Sequence, residues 1–281
     1  MTEQYTPGHT DRRQSQYIES NRQSWDERTP THAKSDFYDV ESFKRGKPSL
    51  MPLEREEVGD VTGKSLLHLQ CHFGMDTMSW ARLGAKVTGV DFSDQAIGLA
   101  RSLSDELGID AQFVLSNVYD LPDVLEGQYD IVFTSYGALV WLPDLKRWAE
   151  VVARFLKPGG FFYLVESHPF ADVFYDEEDA KNLRPHYKYS DPAADPIELA
   201  PGPTYTDGSP DVFSKTYQWN HGVGDILNSL ITAGLTIAFF HEFHFSQYRA
   251  LPMMEKGEDG WWRLPEGQDF VPMLFSLKAR K

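Results

Sequence analysis

Residues 65–91 read SLLHLQCHFGMDTMSWARLGAKVTGVD. The run Leu66, Leu67, Leu69 is apolar and too short for a helix, so it predicts a buried strand. Cys71-His72-Phe73-Gly74 predicts a tight turn. Met75, Met78, Trp80, Ala81 and Leu83 recur at three- and four-residue spacing, which predicts a helix with Asp76 near its start. Gly84 stands where that helix would end. A second strand, Lys86 to Val90, runs into Asp91. The stretch is therefore a βαβ unit with a carboxylate at the tip of its second strand.

Such a unit has a chemical use. The turn after the first strand offers backbone N–H groups and a positive helix end to a ligand. An acidic residue about 20 positions on can take both hydroxyls of a ribose. The alternative is that Asp91 only caps the next helix. A dinucleotide would need the glycines of G-x-G-x-x-G, and here Gln70 and His72 stand where backbone must approach a pyrophosphate. NAD is thereby disfavoured.

The same turn resembles the first motif of the class I S-adenosylmethionine (SAM) methyltransferases, an acidic residue followed by G-C-G-x-G. Leu69-Gln70-Cys71-His72-Phe73-Gly74 fits in register, with His68, Gln70 and His72 in place of the acid and two glycines. The variant LHLQCHFGxDT is identified as one found in a small-molecule branch of that family. The resemblance implies SAM as cofactor and S-adenosylhomocysteine as product. It implies cofactor contacts at Gln70, Cys71, His72, Gly74, Asp91, Phe92, Asn117, Val118, Ser135 and Tyr136. It also implies a Rossmann-like α/β fold of seven strands, ordered 3-2-1-4-5-7-6 with strand 7 antiparallel.

A helix over Asp94 to Leu107 is capped by Ser93 and closed by Gly108. Ala111 to Leu115 is a third strand. Ser116 to Pro122 resembles the family segment that reads adenine, with Asn117 accepting from the exocyclic amine; the plain alternative is a turn residue. Tyr129 to Thr134 is a fourth, fully apolar strand, as in sheets covered on both faces. In an open parallel sheet ligands sit beyond the carboxyl ends of the strands, so Ser135 and Tyr136 point to the same cleft. A helix from Leu145 to Leu156 meets Lys157-Pro158-Gly159-Gly160, similar to the family's LKPGG turn. Phe161 to Val165 is the fifth strand, and it ends in Glu166-Ser167-His168. A helix over Asp225 to Ala233 and strands over Leu235 to Phe245 and Phe270 to Ala279 complete the sheet. The segment 246–268 reads as a loop.

Outside that frame, residues 1–15 are polar and unpatterned, which predicts a mobile tail. Gln16 to Asp26 predicts a short helix, and Pro52 to Asp60 another. Residues 1–59 together read as a tail and helical lid on a methyltransferase domain at 60–281. Residues 168–220 hold seven of the chain's 17 prolines and many aromatics. Disordered linkers are poor in aromatics, and long ordered loops are usually functional, so this segment reads as an inserted substrate cap; the alternative is a subunit contact.

Methyl transfer needs a base only if the acceptor arrives protonated. His168, His221 and Glu166 are the candidates, although a lone histidine is more often structural. His68, Cys71 and His72 do not converge by spacing, so no metal site is expected. No G-x-S-x-G elbow is present, which argues against a hydrolase.

The net charge of −15 disfavours binding to nucleic acid or anionic membrane. The single cysteine excludes an internal disulfide. A polar N-terminus and the lack of a long apolar run predict a cytoplasmic protein without signal peptide or membrane span. Trp261 and Trp262, placed in a loop, make a homodimer contact conceivable. The expected activity is methyl transfer from SAM to O or N of a small-molecule acceptor. The rivals are a SAM-binding protein with other or no chemistry, and a protein or RNA methyltransferase.

Overall fold

A computed structural model describes residues 12–174, 176, 178–190, 195–206 and 212–281. The expected mobile tail lies outside these residues up to position 11. From Arg12 onward the chain is helical.

The central sheet has strands β1 (Ser65–Leu69), β2 (Lys86–Asp91), β3 (Ala111–Leu115), β4 (Tyr129–Ser135), β5 (Leu156–Ser167), β6 (Thr236–Phe243) and β7 (Leu274–Arg280). Their order is 3-2-1-4-5-7-6. Pairs within β1–β5 are parallel. Strand β7 is antiparallel to both β5 and β6. This is the Rossmann-like arrangement expected. Leu66, Leu67, Ile131, Val132, Phe133 and Phe162 to Val165 are buried, because helices cover both faces.

Among the described residues eight α-helices accompany the sheet: α1 (Arg12–His32), α2 (Val40–Lys44), α3 (Pro52–Val58), α4 (Met75–Arg82), α5 (Asp94–Leu107), α6 (Leu121–Val124), α7 (Leu145–Phe155) and α8 (Val223–Thr232). Three of them show why they start where they do. Ser93 Oγ accepts from Ala96 N at 3.0 Å and begins α5. Asp144 accepts from the amides of Lys146 and Arg147 and begins α7. Glu54 reaches back to Met51 N at 2.6 Å and begins α3.

Two expectations need correction. Helix α1 is twice as long as predicted, covering 21 residues with Pro30 inside its last turn. Proline normally marks a helix end, which hid the extension. Contacts with Arg22 hold the helix along its surface, from Glu19 at 2.8 Å and Asp26 at 2.8 Å. The segment 246–268 is not a plain loop. Phe245–Ser246, Glu255–Lys256 and Trp262–Arg263 pair into a small antiparallel sheet. Trp261 is buried against Phe245, with centroids 4.5 Å apart, and offers no exposed contact for a second copy.

The described part of 168–220 is ordered against the domain. Ile197–Leu199 pairs with Thr216–Gln218. That ribbon is tied to α1, because Asn21 donates to Tyr217 O and accepts from Tyr217 N, both at 2.8 Å. Ala171 and Phe174 join Leu251, Met254, Leu264, Val271 and Met273 in a separate apolar cluster. Helix α1 and this segment thus form one roof above the carboxyl ends of the strands. No helix among the described residues is long and apolar enough to cross a membrane.

Candidate active site

Beneath the roof lies a cavity of about 1700 Å³. All ten residues expected at the cofactor site border it, as do Glu166 and His221.

The turn after β1 is the floor. Gln70 (φ 58°), His72 (φ 51°) and Gly74 (φ 76°) all adopt the left-handed conformation. Gln70 and His72 occupy the positions where the resembling family has glycine, and they keep the glycine geometry. A non-glycine residue there costs on the order of 1 kcal/mol. Neighbouring bonds hold the strain in place. Cys71 N donates to Val90 O at 2.9 Å. Gln70 Nε2 donates to Ala138 O at 2.8 Å. His72 N donates to Asp91 Oδ2 at 2.8 Å.

Asp91 therefore links the tip of β2 to this turn. Its other oxygen accepts from Ser93 N at 2.9 Å. Each oxygen keeps a lone pair for a further donor. Burial lifts the carboxyl to about 6, against the pull of the backbone N–H groups. Asn117 Oδ1 accepts from Tyr119 N at 3.1 Å and caps the turn Val118–Asp120. The oxygen expected to meet adenine is thus already half used.

Beyond β4 the chain turns sharply at Tyr136, φ 42°. Glu166 organises this loop. Its carboxylate accepts from the amides of Gly137, Ala138 (2.7 Å), Leu139 (3.1 Å) and Ser167 (2.8 Å). Burial raises its pKa, and the four N–H groups oppose the rise. A carboxylate so engaged positions backbone.

His168 needs a correction. It does not border the cavity. Its Nδ1 accepts from Phe170 N at 3.0 Å, and its Nε2 meets Glu242 at 2.9 Å. The ring packs edge-on against Phe275. Pro169 and a 3₁₀ turn at Ala171–Val173 follow directly, so strand alternation ends before His168 and the ring turns away. His221 does border the cavity. Its Nε2 donates to Leu142 O at 2.7 Å, and burial lowers its pKa. It is a neutral imidazole at neutral pH, with Nδ1 as its basic nitrogen.

Several further residues line the cavity. Trp25, Arg28, Tyr38, Asp76 and Tyr205 all face the cavity. The spacing Trp25, Arg28, His32 on one helix face was a legible signal. Tyr205 belongs to the aromatic, proline-rich stretch read as a substrate cap.

Asp76 sits in the first turn of α4, with Ser135 Oγ donating at 3.3 Å. Behind it, Glu54 is fully buried and accepts from Tyr136 Oη at 2.8 Å. Burial, then the Asp76 carboxylate, lifts Glu54 from its ordinary 4.5 to about 8. The folded state therefore prefers neutral Glu54. Its contribution to stability is complete below about pH 4.5 and is lost as pH rises through about 8, with a slope of about 1.4 kcal/mol per pH unit. The melting temperature is expected to fall across that window, and Glu54→Gln should flatten the fall. Parallel profiles for the two proteins would refute a neutral Glu54.

Residues 66–160 match the model of a methyltransferase domain family. The chain is 32% identical over 108 residues to a ubiquinone biosynthesis O-methyltransferase of Shewanella pealeana, covering 38% of this chain and 45% of that one. It is 31% identical over 144 residues to the protein of the same name from Bordetella pertussis, covering 49% and 59%. The chain thus spans about half the length of the curated relatives it matches. Among solved structures it is similar to a SAM-dependent methyltransferase from Mesorhizobium loti, with TM-score 0.56, 24% identity, and 85% and 100% of the two chains covered. It is also similar to the [4+2]-cyclase SpnF, with TM-score 0.53, 19% identity, and 82% and 79% covered. At such identities the likeness to solved structures shows the fold.

Proposed function

Residues 66–160 match a methyltransferase domain model, and from that premise we propose that the chain is a class I SAM-dependent methyltransferase that methylates O or N of a small-molecule acceptor, using SAM held in the cavity. The observation that carries the reading is the meeting of the strained turn 70–74, Asp91, Asn117 and the β4 loop around one roofed cavity. A fold alone does not fix chemistry; these residues supply the chemistry.

The residues suit that cofactor. Asp91 has free lone pairs for two ribose hydroxyls. Phe92, Val118 and Leu139 give apolar surface for a base. Gln70 Oε1 and His72 Nδ1 are buried at the turn without a hydrogen-bond partner. SAM held by these residues would supply an electrophilic methyl group, carried on a sulfonium sulfur, to the acceptor O or N.

The protein's part is alignment, which contributes roughly 7–11 kcal/mol in well-oriented reactions. We assign the roof, α1 with the described part of 168–220, the role of substrate cap: it excludes water and bounds the acceptor. A roofed cavity and a net charge of −15 favour a small molecule over protein or RNA. Of the three residues considered as bases, His221 is the one that borders the cavity with a basic nitrogen available.

Calorimetric titration tests the reading. SAM and S-adenosylhomocysteine should bind, and NAD should not. Asp91→Asn should weaken both sulfur nucleosides by about 1–3 kcal/mol, roughly five- to 150-fold. Unchanged affinity would sink the ribose placement. Absence of binding by either nucleoside would sink the cofactor and leave the fold without this chemistry.

A further inference from the structure

Arg28 is a buried cation that no carboxylate among the described residues pairs directly. It lies on the cavity face of α1 and is 9% exposed. Its Nε donates to Ser24 Oγ at 3.2 Å. Among the described residues that is its one hydrogen bond, and it forms no ion pair with any Asp or Glu. The acids next to it in sequence are engaged elsewhere. Asp26 accepts from Ser93 Oγ and Gln95 N. Glu27 accepts from Phe213 N and from the amide and hydroxyl of Ser214. The polar groups around the guanidinium are His32, His72, Tyr38 and Tyr205, none of them an anion at neutral pH, and the Glu27 carboxylate acts on it through space without forming an ion pair.

Two indole rings fix the group. The guanidinium carbon is 5.3 Å from the centroid of Trp25 and 5.4 Å from that of Trp141. The two rings touch each other edge to face, with centroids 5.4 Å apart, and the cation lies beside the pair, a contact that stabilises it. They do not satisfy its N–H groups. Four donors on the terminal nitrogens remain, in the planar fork that matches a carboxylate. An unpaired buried charge is destabilising, so its presence points to a ligand that completes it. One guanidinium without a second cation beside it suits a monoanion better than a phosphate dianion.

We propose that Arg28, held beside the Trp25–Trp141 pair, binds a carboxylate of a ligand held in the cavity. The carboxylate belongs either to the amino-acid end of the cofactor or to an acidic acceptor. The first source rests on the function proposed above; the second rests only on the cavity.

The test uses Arg28→Met in the full chain, with Arg28→Lys as the variant that keeps charge without the fork. The probes are S-adenosylhomocysteine, methylthioadenosine (which lacks the carboxylate) and 4-hydroxybenzoate against phenol. If the cofactor is the source, Arg28→Met weakens S-adenosylhomocysteine at least tenfold and leaves methylthioadenosine within about twofold. If the acceptor is the source, both nucleosides bind as before and the preference for 4-hydroxybenzoate over phenol disappears. Arg28→Lys should recover only part of either loss. Replacing an unpaired buried charge with a methionine of similar reach should leave the unliganded melting temperature unchanged or higher. Arg28→Met that binds both S-adenosylhomocysteine and 4-hydroxybenzoate as wild type does overturns the proposal. So does a drop of more than about 4 °C in the unliganded melting temperature, which would make Arg28 a structural residue. If the wild type binds neither nucleoside, the methyl-transfer reading fails, and the 4-hydroxybenzoate titration alone decides Arg28.

Discussion

Gly74→Ala should lower stability by about 2–5 kcal/mol in urea unfolding and abolish nucleoside binding, from a single added methyl group. Two costs combine. Gly74 has φ 76°, where an alanine costs about 1–2 kcal/mol. The new Cβ would also lie 2.4 Å from Phe113 Cε1, 2.7 Å from its Cζ and 3.2 Å from Ala100 Cβ. Phe113 cannot swing aside, because it is buried among Met75, Met78, Ile97 and Leu103. Overpacking of this kind costs roughly 1–3 kcal/mol. Either the ring or the turn must move, and the turn carries His72 N toward Asp91. Gly98→Ala is the control: it sits in α5 with nothing within 4 Å of the added atom, so it should be neutral or stabilising by about 0.5–1 kcal/mol. A Gly74→Ala protein as stable as Gly98→Ala would show that the turn is not under this constraint.

The same turn shows how far the sequence could be read. Its position was plain, because a buried parallel strand is a continuous apolar run and Leu66, Leu67 and Leu69 have no rival reading. The sheet order was not written in any spacing; it came with the family resemblance, and the pairing of β7 between β5 and β6 agrees with it. The left-handed backbone at Gln70 and His72 was obscured by the residues themselves, since side chains normally argue against φ above zero. What makes that conformation tenable is distant in sequence: Ala138 O takes the Gln70 amide, and His32 Nδ1 stands 3.1 Å from His72 Nε2.

The roof was the least legible part for the same reason. Asn21 and Tyr217 are 196 positions apart, and no local pattern announces their pairing. Trp25 and Arg28 belong to a helix whose length Pro30 concealed. His168 failed for a different cause. Its place just past the fifth strand put it beside Glu166 on the cleft rim, but a strand end fixes a side chain only while the strand lasts, and β5 ends at Ser167. Past that point the Glu242 carboxylate and the edge of Phe275 decide where the ring goes.

Glu166 then becomes the residue whose replacement distinguishes positioning from proton transfer. In the positioning reading, Glu166→Ala strands the amides of Gly137, Ala138, Leu139 and Ser167 in a site that is 3% exposed. Each unsatisfied donor costs about 1–3 kcal/mol before relaxation. Some of them will find water or new partners, so a net loss of about 3–5 kcal/mol is expected, as for other buried charges that lose their partners. The consequence spreads along the loop. Ala138 O anchors Gln70, and Leu142 O anchors His221, so both nucleoside affinity and turnover should fall. Glu166→Gln keeps the shape but turns an amide N–H toward backbone donors, and its losses should lie between wild type and alanine. A general base would behave otherwise. Glu166→Gln would then fold and bind S-adenosylhomocysteine as wild type does, lose turnover, and remove the acidic limb of the pH–rate profile. Melting temperature, nucleoside affinity and the pH–rate profile of this one variant separate the two roles. The four N–H groups already converging on the carboxylate favour parallel losses of stability and affinity.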